Sequence, residues 1–164
     1  MLIRGCCAAD VELLELRMPT RGTNAHAYHF AQQESGGQIY LIALDRHVPA
    51  GSCVVHWNGW IEPELNAALP DCPEITNLHV AEDVRRRGIG SALVGAAEDR
   101  ARTAGYGRIG LSVAVDNLRA AWLYERLGYR DTGLRHESRY HYPDENGVEQ
   151  AIVEQNIAML KVLA

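Results

Sequence analysis

A basic, glycine-rich turn is the segment of this sequence whose residue types and spacing best suit chemistry. It comprises Arg85, Arg86, Arg87, Gly88, Ile89, Gly90 and Ser91. Glycines let a backbone approach a ligand closely, and the first N–H groups of a helix point outward with about half a positive charge from the helix dipole. Because a predicted strand precedes this turn and a predicted helix follows it, the pattern predicts an anion-binding site. The alternative is a solvated basic turn in which Gly88 supplies only its dihedral angles.

Two common phosphate-binding motifs do not match this turn. A dinucleotide-binding fingerprint needs G-x-G-x-x-G, and Leu93 stands where the third Gly or Ala belongs. A mononucleotide P-loop needs G-K-[ST] after a four-residue spacer, and that pattern does not occur here. The turn therefore belongs to neither of these nucleotide-binding classes.

The turn resembles the R/Q-x-x-G-x-G/A motif of the GCN5-related N-acetyltransferase (GNAT) family. Three stretches carry the resemblance: Arg85-x-x-Gly88-x-Gly90, the strand end Val115-Asp116-Asn117, and the run from Ala120 to Tyr129. The specific part covers about residues 74–135, and the N-terminal half is compatible with it. The resemblance implies an α/β fold with a mixed, mostly antiparallel sheet, a splayed central strand pair and helices on both faces.

The resemblance also implies that acetyl-CoA is the acetyl donor. The backbone N–H groups of residues 86–91 would bind the pyrophosphate of coenzyme A. The main chain of Leu78 and Val80, on either side of His79, would bond to the pantetheine arm like an added strand. The N–H near Leu78 would polarise the thioester carbonyl, and Asn117 lies where the family commonly touches the coenzyme. We expect the His79 side chain to pack rather than to act as a base.

Acetylation of an amine needs a way to remove a proton. An alkylammonium with a pKa near 10.4 is only about 10^-3.4 neutral at pH 7, so forming the neutral amine costs roughly 4.6 kcal/mol. The resemblance implies that Glu74, eleven residues before Arg85, is the base. It also implies that Tyr124 is the general acid that protonates the departing thiolate. The alternatives are a polar strand end for Glu74 and a packing role for the Tyr124 ring.

The function implied by the resemblance is direct acetyl transfer to a primary amine within a ternary complex. A non-catalytic module of the same fold that binds or senses coenzyme A is the alternative. The acceptor, a small-molecule or a peptide amine, is not specified by the motif, and a homodimer is left open. The acidic residues of the last hairpin weakly favour a cationic acceptor. Four aromatic residues are candidates to line its pocket or only to pack: Trp57, Trp60, Tyr140 and Tyr142.

Composition excludes several other classes. The 164 residues are enough for one domain, predicted here as residues 1–164. The net charge of −5 argues against general affinity for nucleic acid or an anionic membrane. The longest strongly apolar run, Tyr40–Leu44, is far short of the roughly 20 residues that span a bilayer. The N-terminal stretch has no export pattern, so a cytoplasmic location is predicted.

Cysteine and histidine spacing predicts neither disulfides nor a metal site. Cys6 and Cys7 are adjacent rather than C-x-x-C, so all four cysteines, with Cys53 and Cys72, are predicted to be reduced. The histidines show no ligand spacing such as H-E-x-x-H, so no metal is expected.

An alternation of helices and strands must position these residues. In the second half we predict a strand at 74–80, a helix over Ile89–Ala104 ended by Gly105, a strand at 109–113, a helix over 120–127 capped by Asp116 or Asn117 and ended by Gly128, and strands at 129–142 and 148–163. In the first half we predict strands at 2–4, 38–45 and 52–57, helices at 9–17 and 25–33, and a connection without regular structure from Pro63 to Pro73.

Overall fold

The computed structural model describes residues 1–164 as seven strands and five helices. Their bounds are β1 (Leu2–Gly5), α1 (Asp10–Arg17), α2 (Ala25–Glu34), β2 (Gln38–Asp45), β3 (Val48–His56), α3 (Pro63–Ala68), β4 (Glu74–Val80), α4 (Ile89–Thr103), β5 (Arg108–Ala114), α5 (Leu118–Arg126), β6 (Arg130–Pro143) and β7 (Glu149–Val162). A single 3₁₀ turn at Glu82–Val84 lies between β4 and α4. None of the helices is long and apolar enough to cross a membrane.

All seven strands form one sheet in the order β1-β2-β3-β4-β5-β7-β6. Every neighbouring pair is antiparallel except β4 and β5, which run parallel. The predicted mixed, mostly antiparallel sheet is therefore confirmed. The single parallel pair follows from the chain path, because α4 carries the chain back across the sheet between β4 and β5.

Apolar side chains cover both faces of the central strands, which is why β2 and β3 are continuous apolar runs. One face of the sheet, carrying Leu41, Val55 and Ile75, packs beneath α4 and α5. The opposite face, carrying Tyr40 and Val54, packs beneath α1 and α2. We call these the α4–α5 face and the α1–α2 face. Helices lie on both faces, as expected.

Glycines and a cap fix the bounds of the two helices next to the predicted site. Gly88 precedes α4 with φ 79°, and Gly105 follows it with φ 91°. The Asn117 side chain caps α5 by accepting the Ala120 N–H at 3.2 Å, and Gly128 follows that helix with φ 100°. These left-handed conformations suit glycine, which confirms the predicted starts and stops.

The structure corrects two sequence expectations. The connection from Pro63 to Pro73 contains the helix α3, because Pro63 occupies its first turn, where a missing N–H costs nothing. The His79 side chain is exposed rather than packed, because α1 and α2 pack mainly over β2 and β3 and leave this end of β4 uncovered. All four cysteines are free thiols, as predicted.

Gly110 in β5 must remain without a side chain. A Cβ atom there would lie 2.1 Å from Cζ2 and 2.4 Å from Cη2 of Trp60, whose ring is 4% exposed. We expect Gly110→Ala to lower the free energy of unfolding by roughly 1–3 kcal/mol through overpacking, measured by urea denaturation. Gly95→Ala is the control, since a Cβ in that part of α4 meets nothing within 4 Å. It should raise stability by up to about 1 kcal/mol. Equal stability of the Gly110 variant and the wild type would contradict the position of Trp60.

Candidate active site

The central feature of the site is a gap between β4 and β5. Their parallel pairing is limited to Glu74 with Gly110 and Ile75 with Leu111. Beyond Ile75, β4 continues to pair with β3, while β5 pairs with β7 as far as Ala114. The two strands therefore diverge, and the splayed pair expected from the sequence is present.

A bulge in β4 accompanies this divergence. Between the pairs Val54–Thr76 and Ser52–His79, one residue of β3 faces two residues of β4. Asn77 at the bulge has φ 53°, a left-handed conformation rare within strands. The bulge bends β4 away from β5. It also shifts the alternation of side chains, so that different residues of β4 lie on the α1–α2 face.

Backbone alternation directs hydrogen-bonding groups of β4 into the gap. The Ala81 N–H donates to the Ala50 carbonyl at 2.8 Å, and His79 pairs with Ser52. In a strand, every second residue directs its main-chain N–H and C=O to the same neighbouring strand. Since His79 and Ala81 direct theirs to β3, the main-chain groups of Leu78 and Val80 point away from β3. They face the side that β5 has left, which is the arrangement needed to bind an extended ligand.

The basic turn predicted from the sequence lies at the far end of β4. The space around its glycine, Gly88, is empty, since a Cβ there would have no other atom within 4 Å. The positive φ of Gly88 would nevertheless strain any other residue at this position. No side chain caps the first turn of α4, so the helix presents its N–H groups outward. Arg85 is held by its Nε, which donates to the Val80 carbonyl at 3.1 Å, while Arg86 and Arg87 are exposed. An anion held here would meet N–H groups and positive charge together.

Glu74 lies where β4 and β5 separate. Its side chain is buried, with 5% exposed, and its Oε2 accepts the Ile61 N–H at 2.9 Å. Burial raises the pKa of this carboxyl to about 7; the Ile61 N–H acts in the opposite direction, and the Glu62 carboxylate adds to the rise. A carboxyl with this pKa is half ionised near neutral pH and can take and release a proton there.

Tyr124 lies on the α4–α5 face, opposite to Glu74. Its ring packs edge-on against Tyr129, with centroids 6.1 Å apart, at the border of the main core cluster. Burial raises the pKa of its phenol, and the thiol of Cys53, which lies opposite the β4 bulge, adds to the rise. The hydroxyl has no hydrogen-bond partner within the protein, so its proton is available to a ligand.

Polar side chains line the α1–α2 face of the gap on the β4 side. The Thr76 Oγ1 lies 2.8 Å from His56 Nε2, and Asn77 Nδ2 lies 2.8 Å from His29 Nε2. Burial lowers the pKa of both imidazoles, that of His29 to about 4 with the neighbouring His56 and His26 adding to the effect. Both rings are therefore neutral near pH 7. The Nδ1 atom of His29 is buried without a partner.

The β5 side of the gap has a matching arrangement. Ser112 Oγ lies 2.8 Å from His136 Nε2, and burial lowers the pKa of that imidazole. Trp60 covers Gly110 next to these residues. The Nδ1 of His136 and the Nε1 of Trp60 are buried without partners. We call Glu74, Thr76 and Ser112, with the imidazoles behind them, the polar face of the gap. Its histidines form no cluster of three metal ligands.

The structure brings most of the sequence-predicted residues to the gap, on different sides. Leu78, Val80 and the turn of residues 85–91 lie along β4 and its end, whereas Asn117 uses its side chain as a helix cap. Of the aromatic candidates, Trp57 stacks on Tyr106 at 6.0 Å and serves packing. The exposed Tyr140 of the hairpin donates its hydroxyl to Glu154 at 2.9 Å.

Several residues of the polar face had no sequence indication of this role. His56 and Ser112 belong to no motif, and their contacts depend on pairing across the sheet. Glu62, in the loop after β3, belongs to no motif either. From the sequence, His29 shows only that metal-ligand spacing is absent, and His136 is at most an alternative base to Glu74. Alternation of polar residues in β4 and β5 was the one signal that could have pointed to this surface.

Comparison with known proteins agrees with this geometry. The model of the acetyltransferase (GNAT) family matches residues 11–129. The chain belongs to the GNAT family. A ribosomal protein bS18-alanine N-acetyltransferase of Salmonella typhimurium is 36% identical over 89 residues, covering 54% of this chain and 58% of that protein. An uncharacterised N-acetyltransferase of Bacillus subtilis, YvbK, is 26% identical over 132 residues, covering 73% of this chain and 85% of that protein.

Solved structures share the fold of this GNAT protein over almost its whole length. The ribosomal-protein-alanine N-acetyltransferase of Brucella melitensis superposes with a TM-score of 0.71 at 18% identity, covering 99% of this chain and 100% of that one. An aminoglycoside 6'-N-acetyltransferase complexed with coenzyme A has a TM-score of 0.65 at 18% identity, covering 100% and 98%. At these identities the likeness shows the fold alone.

Proposed function

We propose that this protein is an acetyl-CoA-dependent N-acetyltransferase that transfers the acetyl group directly to a primary amine in a ternary complex. The observation that carries the proposal is Glu74, a buried carboxyl with a pKa of about 7 at the point where β4 and β5 separate. Membership of the GNAT family supports the same activity. The Salmonella and Bacillus relatives are both named N-acetyltransferases, which supports it further.

In this proposal the coenzyme lies along β4. Its pyrophosphate binds the N–H groups of residues 86–91, and its pantetheine arm bonds to the main chain of Leu78 and Val80. The arm completes the edge that β4 exposes after leaving β5, as an added strand would. The thioester then lies in the gap, between Glu74 on one face of the sheet and Tyr124 on the other. Asn117 contributes through its backbone and its cap at the start of α5, near the same end.

The chemistry follows from these positions. The neutral amine attacks the thioester carbonyl carbon, and the new C–N bond forms as the C–S bond breaks. Before the attack Glu74 takes the ammonium proton, directly or through one water, and passes it to solvent, which addresses the roughly 4.6 kcal/mol cost of the neutral amine at pH 7. The second nitrogen proton leaves by the same route once the C–N bond has formed. Tyr124 gives its proton to the departing thiolate. The main-chain N–H of Leu78 stabilises the charge that develops on the carbonyl oxygen.

The acceptor is proposed only as a class. The Salmonella and Brucella proteins are named for acetylating an alanine of a ribosomal protein, and another structural neighbour is named for an aminoglycoside. An alanine-ended peptide is therefore the first acceptor to test. Thiol release from acetyl-CoA over a panel of amines tests the activity itself. Coenzyme binding without thiol release from any amine would instead favour the non-catalytic module.

Gly88→Asp should abolish most coenzyme binding. The variant places a side chain and a negative charge where we place the pyrophosphate, at a position with φ 79°. We expect the Kd for coenzyme A, measured by calorimetry, to rise at least about tenfold. Gly36→Asp is the matched control, because it adds the same charge at φ 92° on the exposed loop before β2. A folded Gly88 variant that binds coenzyme A like this control would exclude the placement.

Tyr124→Phe removes the phenolic proton and keeps the ring that packs on Tyr129. We expect turnover to fall by roughly 10² to 10⁴, the range for one general acid, with little change in coenzyme Kd. Single-turnover kinetics measure the chemical step. Tyr28→Phe, at an exposed site on α2, serves as the control. If the chemical step keeps its wild-type rate, Tyr124 has a packing role only.

Glu74→Gln keeps the shape of the side chain and removes the base. In the wild type, kcat/KM should fall as pH drops through about 7, because Glu74 becomes protonated and can no longer accept a proton. The variant should lose rate most near neutral pH and recover partly at higher pH, where more amine is already neutral. The pH–rate profile from pH 6 to 9 measures this, with Glu12→Gln as an exposed control. Parallel profiles of the Glu74 variant and the wild type would rule out Glu74 as the base.

A further inference from the structure

The carboxylate of Glu62 has no partner, although it is half buried. It forms no ion pair and accepts no side-chain hydrogen bond, even from the helix that starts after it. The more deeply buried Asp10 and Glu98 are engaged, because Asp10 pairs with Arg4 and Glu98 pairs with Lys161. A carboxylate that is partly desolvated and unpaired is costly unless a cation or donor joins it. The Glu62 carboxylate is therefore free to accept hydrogen bonds from a positively charged ligand.

The backbone around Glu62 is held in place next to Glu74. The Ile61 N–H donates to Glu74 Oε2 at 2.9 Å. Glu62 is the next residue in the chain, so its backbone is attached directly to a residue that contacts the proposed base. The Glu62 carbonyl accepts the Asn66 N–H at 3.0 Å, and the Asn66 side chain accepts the Trp60 N–H at 3.2 Å. These bonds fix the loop between β3 and α3 from both sides. Glu62 is thus positioned by the fold rather than by its own side-chain contacts.

Glu62 also acts on two groups of the polar face. Burial is the main influence on both: it raises the pKa of Glu74 and lowers that of His136. The Glu62 carboxylate raises both pKa values in addition. This part of the site therefore carries negative charge from Glu62 and, as the pH rises above about 7, from Glu74. The neighbouring imidazoles are neutral near pH 7 and do not offset that charge.

We infer that Glu62 binds the acceptor amine in its ammonium form and holds it beside Glu74. This inference rests on the proposed function and adds a step to it. The ammonium N–H groups donate to the Glu62 carboxylate, and one ammonium proton passes to Glu74 and from it to water. The nitrogen lone pair then attacks the thioester carbon. The second nitrogen proton leaves through Glu74 as the C–S bond breaks and the thiolate takes the Tyr124 proton. The negative surface also sets the substrate class. A carboxylate next to the amine would be repelled, so amide-linked α-amines are favoured over free amino acids.

The test compares Glu62→Gln, Glu62→Asp and Glu64→Gln with the wild type. The probes are trialanine amide and free L-alanine, with acetyl-CoA saturating and thiol release as the signal. Glu64 is the matched control, because it lies on the first turn of α3 and is exposed. We expect Glu62→Gln to raise the KM for trialanine amide roughly tenfold, the loss of one charge-assisted hydrogen bond, with a smaller change in kcat. Glu62→Asp should restore part of the difference, and the Glu64 variant should match the wild type.

Ionic strength gives a second readout that a structural role would not produce. An ion pair between Glu62 and the ammonium weakens in salt, because dissolved ions screen the two charges. Wild-type kcat/KM for trialanine amide should therefore fall as the salt concentration is raised from about 20 to about 300 mM. In Glu62→Gln this decline should shrink. Wild-type turnover of trialanine amide should also exceed that of L-alanine.

The outcomes separate this inference from the proposed function. An unchanged KM and salt dependence in Glu62→Gln, with an active wild type, would overturn the role of Glu62 and leave the acetyltransferase proposal standing. A loss of coenzyme affinity or stability in that variant equal to its loss of activity would assign Glu62 to folding and also overturn the inference. Absence of thiol release from the wild type with every amine would overturn both.

Discussion

The site depends on one limit in strand pairing: β4 and β5 are joined at only two residue pairs, Glu74–Gly110 and Ile75–Leu111. Two parallel strands in a closed sheet would satisfy each other's main-chain groups along their whole length. Here the bulge at Asn77 turns β4 away, and β5 keeps its bonds to β7 instead. The main-chain groups of Leu78 and Val80 are left facing a gap. That open edge, although its Val80 carbonyl already accepts a bond from Arg85 Nε, is the reason an extended ligand can bind in the middle of the sheet.

The loop between β3 and α3 closes the narrow end of the gap and sets its electrostatics. Trp60 packs over Gly110, and the Ile61 N–H donates to the Glu74 carboxyl. This loop therefore helps to bury that carboxyl, and the burial raises its pKa. The same loop carries Glu62 to the surface beside it. One short segment therefore supplies the apolar cover, the hydrogen bond and the negative charge. A change in its conformation would alter the base and the proposed ammonium site together.

The sequence predicted the parts of the site that local chemistry determines. Gly88, Gly105 and Gly128 marked helix limits because each adopts a positive φ, and the turn of residues 85–91 followed from its glycines and arginines. Glu74 was predicted through family resemblance, since nothing local distinguishes it from an ordinary strand end. The helix α3 was missed because Pro63 indicates a break and equally suits a first turn. Glu62, His56 and Ser112 could not be predicted, because their roles depend on which strands and loops meet across the sheet.

A crystal structure of the protein with acetyl-CoA tests the central claim most directly, since that claim concerns what the gap between β4 and β5 holds. The account predicts the pyrophosphate on the N–H groups at the start of α4, the pantetheine arm bonded to the main chain of Leu78 and Val80, and the thioester between the diverging strands. A coenzyme bound elsewhere on the sheet, or β4 and β5 paired beyond Ile75 with the gap closed, would contradict it.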